Sequence, residues 1–397
     1  MRRLDRVDAA FFVLWLLDAA FVFWAVQGLS ISVYEARIYW GESSIASFLA
    51  HLFVPFWGEN NLGLKFPFLL LHLFNLFLFY EVSRHTLKRP FDAFFSVALF
   101  ALLPGVNASA LLIGESGIIM SAALLVCYIH LKYKVIPYPL LALAILIDSG
   151  MAILFLALFF YAIKERQNRL LLFSLIAFTV SMYLWGIDVG GKPKGHFLDT
   201  LGIFATLFSP LLFLYFVYAL YRILIKEEKP LLWYISFSAL MFTLLLSFRQ
   251  KVNIEEYAPL VLIGLPLVVK VFLSGLRVRL PRFRRSYQLW FYIAVFTLGI
   301  NSLGLVFNKL FYRVIENPRE HFAYRFHIAN ELALALKEKG IREVKIKDEA
   351  MRLRLACYGI GSSEALELKE GRGKRAILEI PIRYFGYEVE RYHVQKR

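Results

Sequence analysis

Glu35 stands in the stretch 31–40, ISVYEARIYW, directly after the first long apolar run of the chain. Read as a helix, Ile31, Glu35 and Ile38 fall on one side, and Tyr34, Arg37 and Trp40 lie round from it. A helix of this kind lying at a membrane surface keeps its aromatic rings at headgroup level and fixes an acid where lipid meets water. Such an acid can take the proton of an attacking hydroxyl. The plain alternative is an ordinary surface carboxylate.

Three more acids, Asp18, Glu115 and Asp148, lie in or beside apolar segments. An acid at the centre of a membrane helix costs about 2.5–3.5 kcal/mol on insertion scales, so each has either a chemical role or a hydrogen-bond partner on another helix. Asp148 begins Asp148-Ser149-Gly150, where the alternative is a turn residue. Lys65, Lys192, Lys194 and Arg249 are candidates to hold a phosphate as charge builds on it; interface anchoring is their plain alternative. The stretch 190–197, GGKPKGHF, lacks the Gly-Lys-Ser/Thr order of a Walker loop. Its glycines would still let backbone amides approach a lipid phosphate beside the two lysines. Tyr39, Trp40 and Trp57 could stack on sugar rings or anchor at an interface. His196 alone makes no metal site, and Cys127 and Cys357 have no metal-ligand spacing. The sequence names no cofactor and leaves a divalent cation open.

The elements that position these residues are membrane segments. The 397 residues are 59% hydrophobic and only 19% charged, against about 25% charge in soluble proteins. Mean hydropathy is +0.59, and the apolar residues come in blocks, many of them near the length that spans a bilayer as a helix. The blocks predict about eleven membrane segments, at 9–27, 64–82, 91–104, 109–130, 137–147, 150–163, 170–186, 201–224, 231–247, 257–274 and 289–307. The segments 137–147 and 150–163 are too short to span singly and are expected to form a half-helix hairpin turning at Asp148. The run after Met1-Arg2-Arg3 carries Asp18 and no clear cleavage site, so it reads as a retained first helix rather than a signal peptide.

Basic residues fix the sides. Arg84, Lys88 and Arg89, then Lys164, Arg166 and Arg169, then Arg277 to Arg285 crowd one set of loops, as the positive-inside rule requires of cytoplasmic loops. The bias holds only if 137–163 enters and returns. The N-terminus is then cytoplasmic and the C-terminus extracytoplasmic, in a multi-pass protein of the cell's inner (cytoplasmic) membrane. The net charge of +15 belongs to this topogenic pattern and gives no reason to expect nucleic acid. The longer outward loops, 28–63, 188–200 and 248–257, carry the varied chemistry, which is where function concentrates.

Past residue 307 the composition changes. Residues 1–307 form the expected transmembrane domain and 308–397 a small soluble α/β domain on the outer side. Within it, Pro318 opens an expected helix to Lys339 that stops at Gly340. A strand is expected at 343–347, a short helix capped by Asp348 up to Cys357, and strands at 375–380 and 386–394.

The motifs of the first 130 residues carry a family resemblance. Glu35-Ala36 followed by Tyr39-Trp40, just after the first membrane helix, resembles the GT-C superfamily of membrane glycosyltransferases, most nearly its protein mannosyltransferase and aminoarabinose transferase branch. The run from Gly58 to Lys65-Phe66-Pro67 is similar to the family's glycine-to-Arg-x-Pro motif. Leu103-Pro104 followed by Gly114-Glu115-Ser116 is similar to its Leu-x-Pro and downstream acid. The chain departs from the pattern at Tyr34, where the family has the leading Asp, at Glu115, where it has Asp, and at Lys65, where it has Arg. The resemblance implies an integral membrane glycosyltransferase that moves a sugar, with inversion, from a polyprenyl-phosphate donor to an extracytoplasmic glycan, lipid or protein acceptor. It implies Glu35 and Glu115 as catalytic carboxylates. Arg37, Tyr39, Trp40, Lys65, Lys192, Lys194, His196 and Arg249 are the expected substrate-binding residues. A lipid-linked glycan transporter or flippase, and a non-catalytic scaffold derived from such an enzyme, are the alternatives.

Overall fold

The computed structural model of the chain describes residues 6–41, 44–186, 195–373 and 376–396. Helices dominate. In the first third they are α1 Arg6–Gln27, α2 Val33–Trp40, α3 Ile45–Leu52, α4 Val54–Trp57, α5 Asn61–Thr86, α6 Pro90–Ala101, α7 Pro104–Leu111 and α8 Ser116–Tyr133. The middle holds α9 Tyr138–Ala144, α10 Met151–Glu165, α11 Asn168–Trp185, α12 Phe197–Phe208 and α13 Pro210–Lys226. Then come α14 Leu231–Ser247, α15 Ile254–Leu262, α16 Leu265–Val278 and α17 Pro281–Val306. After three short 3-10 turns, the C-terminal part adds α18 Ala329–Glu338, β1 Lys345–Ile346, α19 Glu349–Ala356, β2 Leu366–Glu370, β3 Leu378–Tyr384 and β4 Tyr387–Lys396.

This is a membrane protein. Leu172, Leu175, Ile176, Tyr183 and Leu184 of α11 all stand exposed, a surface that water would not tolerate and lipid accepts. Among the described residues, six helices are long and apolar enough to cross a bilayer, or up to eight if each of two bent pairs is one span. The expected count of about eleven membrane segments is not confirmed, although each predicted segment contains helix. Two helix pairs are bent where a proline opens the second member. Pro104 ends the run of α6, and α7 leaves at 60°; Pro210 starts α13 at 103° to α12, because proline offers no amide to continue a helix. Ser209, at the second break, takes a left-handed φ of 73°. Helices α9, with 7 residues, and α10, with 15, are short of a full crossing.

The chain divides into two compact units. One comprises residues 1–19, 70–109 and 115–302, the other 20–69, 110–114 and 303–397. In the first, α10 packs against α11 and α14, and α15 against α8 and α14. Its buried polar groups meet across helices: His72 Nε2 lies 2.7 Å from Asp18 Oδ2, and Asn75 Nδ2 donates to the Gly117 carbonyl at 3.0 Å. Asp18 therefore has its interhelical partner.

In the second unit, α2 packs against α3 and α19. Its four-stranded sheet runs β1-β2-β4-β3, with β1 parallel to β2 and the other pairs antiparallel. Asp348 caps α19, accepting from the amides of Ala350 and Met351, and Gly340 follows α18 with φ 73°, both as expected. The expected helix from Pro318 is corrected: 318–328 folds as 3-10 turns, and helix begins only at Ala329. Ile328, with φ 81°, blocks its extension backwards. Strand β2 was not anticipated.

Candidate functional site

Helix α2 is built locally before it is held globally. Ser32 and Glu35 form a capping box: the Ser32 hydroxyl accepts from the Glu35 amide, and the Glu35 carboxylate accepts from the Ser32 amide. Reciprocal capping satisfies two donors that a helix start otherwise leaves open. With that register fixed, Glu35, Ala36 and Tyr39 face inward and Tyr34, Arg37 and Trp40 outward.

The inward face is a polar cluster sealed from solvent. Glu35 Oε1 accepts from the Ile113 amide at 3.0 Å and lies 3.3 Å from Lys65 Nζ. Oε2 accepts from the Ser32 amide at 2.8 Å. Lys65 also donates to the Leu29 carbonyl at 3.1 Å. Both side chains are buried, with 1% and 0% of their surface exposed. Every oxygen of Glu35 is thus engaged, and the carboxylate ties 29–35, 65 and 113 together. Release of a buried ion of this kind from its partner is costly.

The C-terminal part closes the same cluster. Arg354 Nε donates to the Ile31 carbonyl at 2.7 Å, and its Nη2 to the His327 carbonyl. The Tyr358 hydroxyl accepts from the Ile31 amide at 2.8 Å and donates to Asn61 Oδ1. Both backbone groups of Ile31 are therefore held by side chains more than 300 positions away. Burial pushes the Cys357 thiol and the Tyr39 hydroxyl up to about 12, so neither ionises near neutrality. Burial, helped by Lys309, His321 and Arg354, pushes His327 down to about 3, so its ring is neutral.

Of the residues expected to bind substrate, Tyr39 is covered: it is buried, and His51 stacks on its ring at 3.9 Å. Trp40 is half exposed, with its edge toward Tyr39. Arg37 is exposed on the same face. Lys65 is committed to Glu35, as above.

In the first unit the charges of Glu256 and Glu115 both act on Asp148. Three segments bring them in. Glu115 is the N-cap residue of α8, Asp148 sits in the turn before α10, and Glu256 is in the first turn of α15. Ser116 Oγ donates to the Glu255 carbonyl at 2.9 Å, and Ser149 Oγ to Glu256 Oε2. Asn253 Nδ2 donates to Glu256 Oε1 at 2.7 Å. Gly150 permits the approach, because a Cβ there would lie 2.3 Å from the Glu256 carbonyl oxygen.

Asp148 Oδ1 accepts from the Gly150 amide at 2.8 Å, with Ser149 Oγ 3.1 Å away, the Asx turn expected of its sequence. Burial pushes its carboxyl up to about 6, Glu256 and Glu115 adding to the rise against the Gly150 amide. Glu115 is half-buried, and no hydrogen bond or ion pair reaches its carboxylate among the described residues. No group of three or more His, Cys, Asp or Glu side chains suited to a metal ion occurs among the described residues.

The remaining expected contacts are also in this unit. His196 precedes α12, its amide donating to the Ser247 carbonyl at 2.8 Å and its ring 3.2 Å from Asp199. Phe248 stacks on Phe197 at 4.7 Å, which brings the exposed Arg249 to the same end of the helices. Lys192 and Lys194 lie outside the described residues. The sequence reading missed His72, Asn61, Glu256, Arg354 and Tyr358. Only His72 carried a signal, as an ionisable residue in an apolar run; the others become meaningful only through partners distant in sequence.

No family model matches the chain, and no curated protein matches it in sequence. Among solved structures it is similar to the crystal structure of ArnT from Cupriavidus metallidurans in the apo state. The TM-score is 0.53 at 14% identity, over 88% of this chain and 84% of that chain. The chain thus has a GT-C-like fold, as the resemblance in its first 130 residues implied.

Proposed function

We propose that the protein is an integral membrane glycosyltransferase that moves a sugar from a polyprenyl-phosphate donor to an extracytoplasmic glycan, lipid or protein. The reading rests on α2: a helix directly after a membrane-crossing helix, fixed by a buried ion pair, that turns Arg37 and Trp40 outward. The GT-C-like fold over most of the chain supports it.

In the proposed reaction the acceptor hydroxyl oxygen attacks the anomeric carbon. The bond from that carbon to the phosphate oxygen breaks with inversion, and polyprenyl phosphate leaves. The acceptor's proton passes to a carboxylate, and cations meet the charge gathering on the phosphate. Glu115 suits the proton-accepting role because its carboxylate is partly exposed and uncommitted among the described residues. We assign Glu35 and Lys65 to positioning, since each already serves the other. Arg37, Arg249, Lys192 and Lys194 remain the proposed phosphate contacts, Trp40 the proposed sugar contact and His196 a proposed polar contact. The proposed orientation keeps the N-terminus cytoplasmic and places 308–397 outside the inner membrane.

A GT-C-like fold without transferase activity is the second reading. Tyr34 in place of the family's Asp and the fully engaged Glu35 favour it. Mass spectrometry of the surface glycans and glycolipids of a deletion strain separates the two. Complementation with the wild-type chain is expected to restore one missing sugar, and Glu115→Gln at equal membrane abundance to fail. A deletion strain that lacks no sugar ends the transferase reading.

A further inference from the structure

Strands β3 and β4 pair up to Tyr384 and Tyr387, so their turn is the two residues Phe385-Gly386. Both have left-handed backbones, with φ 50° and 88°. Asn-Gly is the favoured pair for such a turn, and a bulky aromatic residue in the left-handed region is an outlier that calls for a reason. More than half of the Phe385 surface stays exposed, at 54%, and Tyr387 beside it is 51% exposed.

The turn does not stand alone. Phe385 lines a cavity of about 300 Å³ with Trp24, Gln27, Phe307, Lys309 and Leu310. Trp24 and Phe307 are in ring contact at 5.2 Å. The Arg313 guanidinium sits over the Phe385 ring at 5.2 Å. In the adjoining segment Phe311 and Val314 are also exposed, Val314 at 81%. The patch is continuous with helix ends that emerge from the bilayer, since α1 ends at Gln27 and α17 at Val306. Exposed apolar surface of this extent, with aromatics and a cation, fits the interfacial layer of a membrane.

We propose that the β3–β4 turn and the adjoining segment 307–314 dip into the leaflet from which α1 and α17 emerge. Phe385, Tyr387 and Val314 sit among the upper acyl chains, and Arg313 meets lipid phosphate. The C-terminal sheet is thereby held against lipid at its turn as well as through the cluster around Ile31. The inference is independent of the transferase reading.

Nitroxide labels on the full-length protein in phosphatidylethanolamine–phosphatidylglycerol nanodiscs test it. Phe385→Cys and Tyr387→Cys carry the label in separate variants, with Lys339→Cys, exposed among charged residues after α18, as the aqueous control. Cys127 and Cys357 are both buried, and the unsubstituted protein measures any background. The ratio of oxygen to nickel-chelate collision rates is expected to be several-fold higher at 385 and 387 than at 339. Equal ratios at all three positions would overturn the proposal, because the turn would then be in water. Low rates for both reagents at 385 and 387 would overturn it too, because protein would then cover the turn.

Discussion

Lys65 Nζ lies 3.3 Å from Glu35 Oε1 with neither side chain open to solvent. The pair joins the start of α5 to the first turn of α2, and the Ile113 amide completes it. Removing one member of a buried pair leaves a charge without compensation, at a cost of about 3–5 kcal/mol. Lys65→Met is therefore expected to lower the thermal stability of the purified protein sharply, and Lys65→Met with Glu35→Leu to recover much of the loss. Thermal scans of both singles and the double give the coupling. A Lys65→Met protein as stable as wild type would show that the pair does not hold α2.

Glu115→Gln is expected to leave thermal stability close to wild type, because no hydrogen bond or ion pair reaches the half-buried carboxylate among the described residues. Sugar transfer is expected to fall by roughly 10²–10⁴, the range for loss of a general base. Transfer assays on reconstituted protein, run beside thermal scans, check both halves of the statement.

Asp148 makes stability depend on pH. Its folded carboxyl is pushed up to about 6 from an ordinary 3.8, so between these values the folded state holds more protons than the unfolded chain. Stability from this group is full below the lower value and is lost as pH rises through about 6. Asp148→Asn keeps the oxygen that accepts from Gly150 and cannot ionise. The variant should match wild type near pH 4 and exceed it above pH 6, by at most about 3 kcal/mol. Melting temperatures of the two proteins across that range decide it, and parallel curves would refute the assignment.

Gly150→Ala should disturb the same turn by a different cause. The added Cβ would meet the Glu256 carbonyl oxygen at 2.3 Å, and backbone rather than a flexible side chain has to give way. A loss of about 1–3 kcal/mol is expected, as for overpacking a core. A thermal scan of the variant that overlays wild type would mean that α15 is free to move aside.

The membrane class, the order of the apolar segments and the GT-C-like fold were legible from apolar runs and from short motifs around Glu35, Lys65 and Glu115. Local signals were reliable where one neighbour decides the outcome: Asp348 capping α19, Gly340 ending α18, Asp148 closing its own turn. The Ser32–Glu35 capping box is equally legible, from a serine followed three residues later by a glutamate. What stayed hidden was burial. Nothing near Glu35 in sequence announces the Ile113 amide, and nothing near Ile31 announces Arg354 or Tyr358. The exact number of spans is not confirmed, because α9, α10 and α14 are shorter than a full crossing, and hydropathy alone does not see that the chain turns by 60° and 103° at Pro104 and Pro210.

The bonds to Ile31 also impose an order on biogenesis. Its carbonyl and amide are met by Arg354 and Tyr358, residues that leave the ribosome after α1 to α17 have been made. Until then the segment before α2 exists with its backbone groups unmatched, and the ion pair beneath it lacks its cover. The loop made first is completed last, so a nascent chain released before residue 354 would carry α1 to α17, α2 included, while the backbone of Ile31 still lacked its partners.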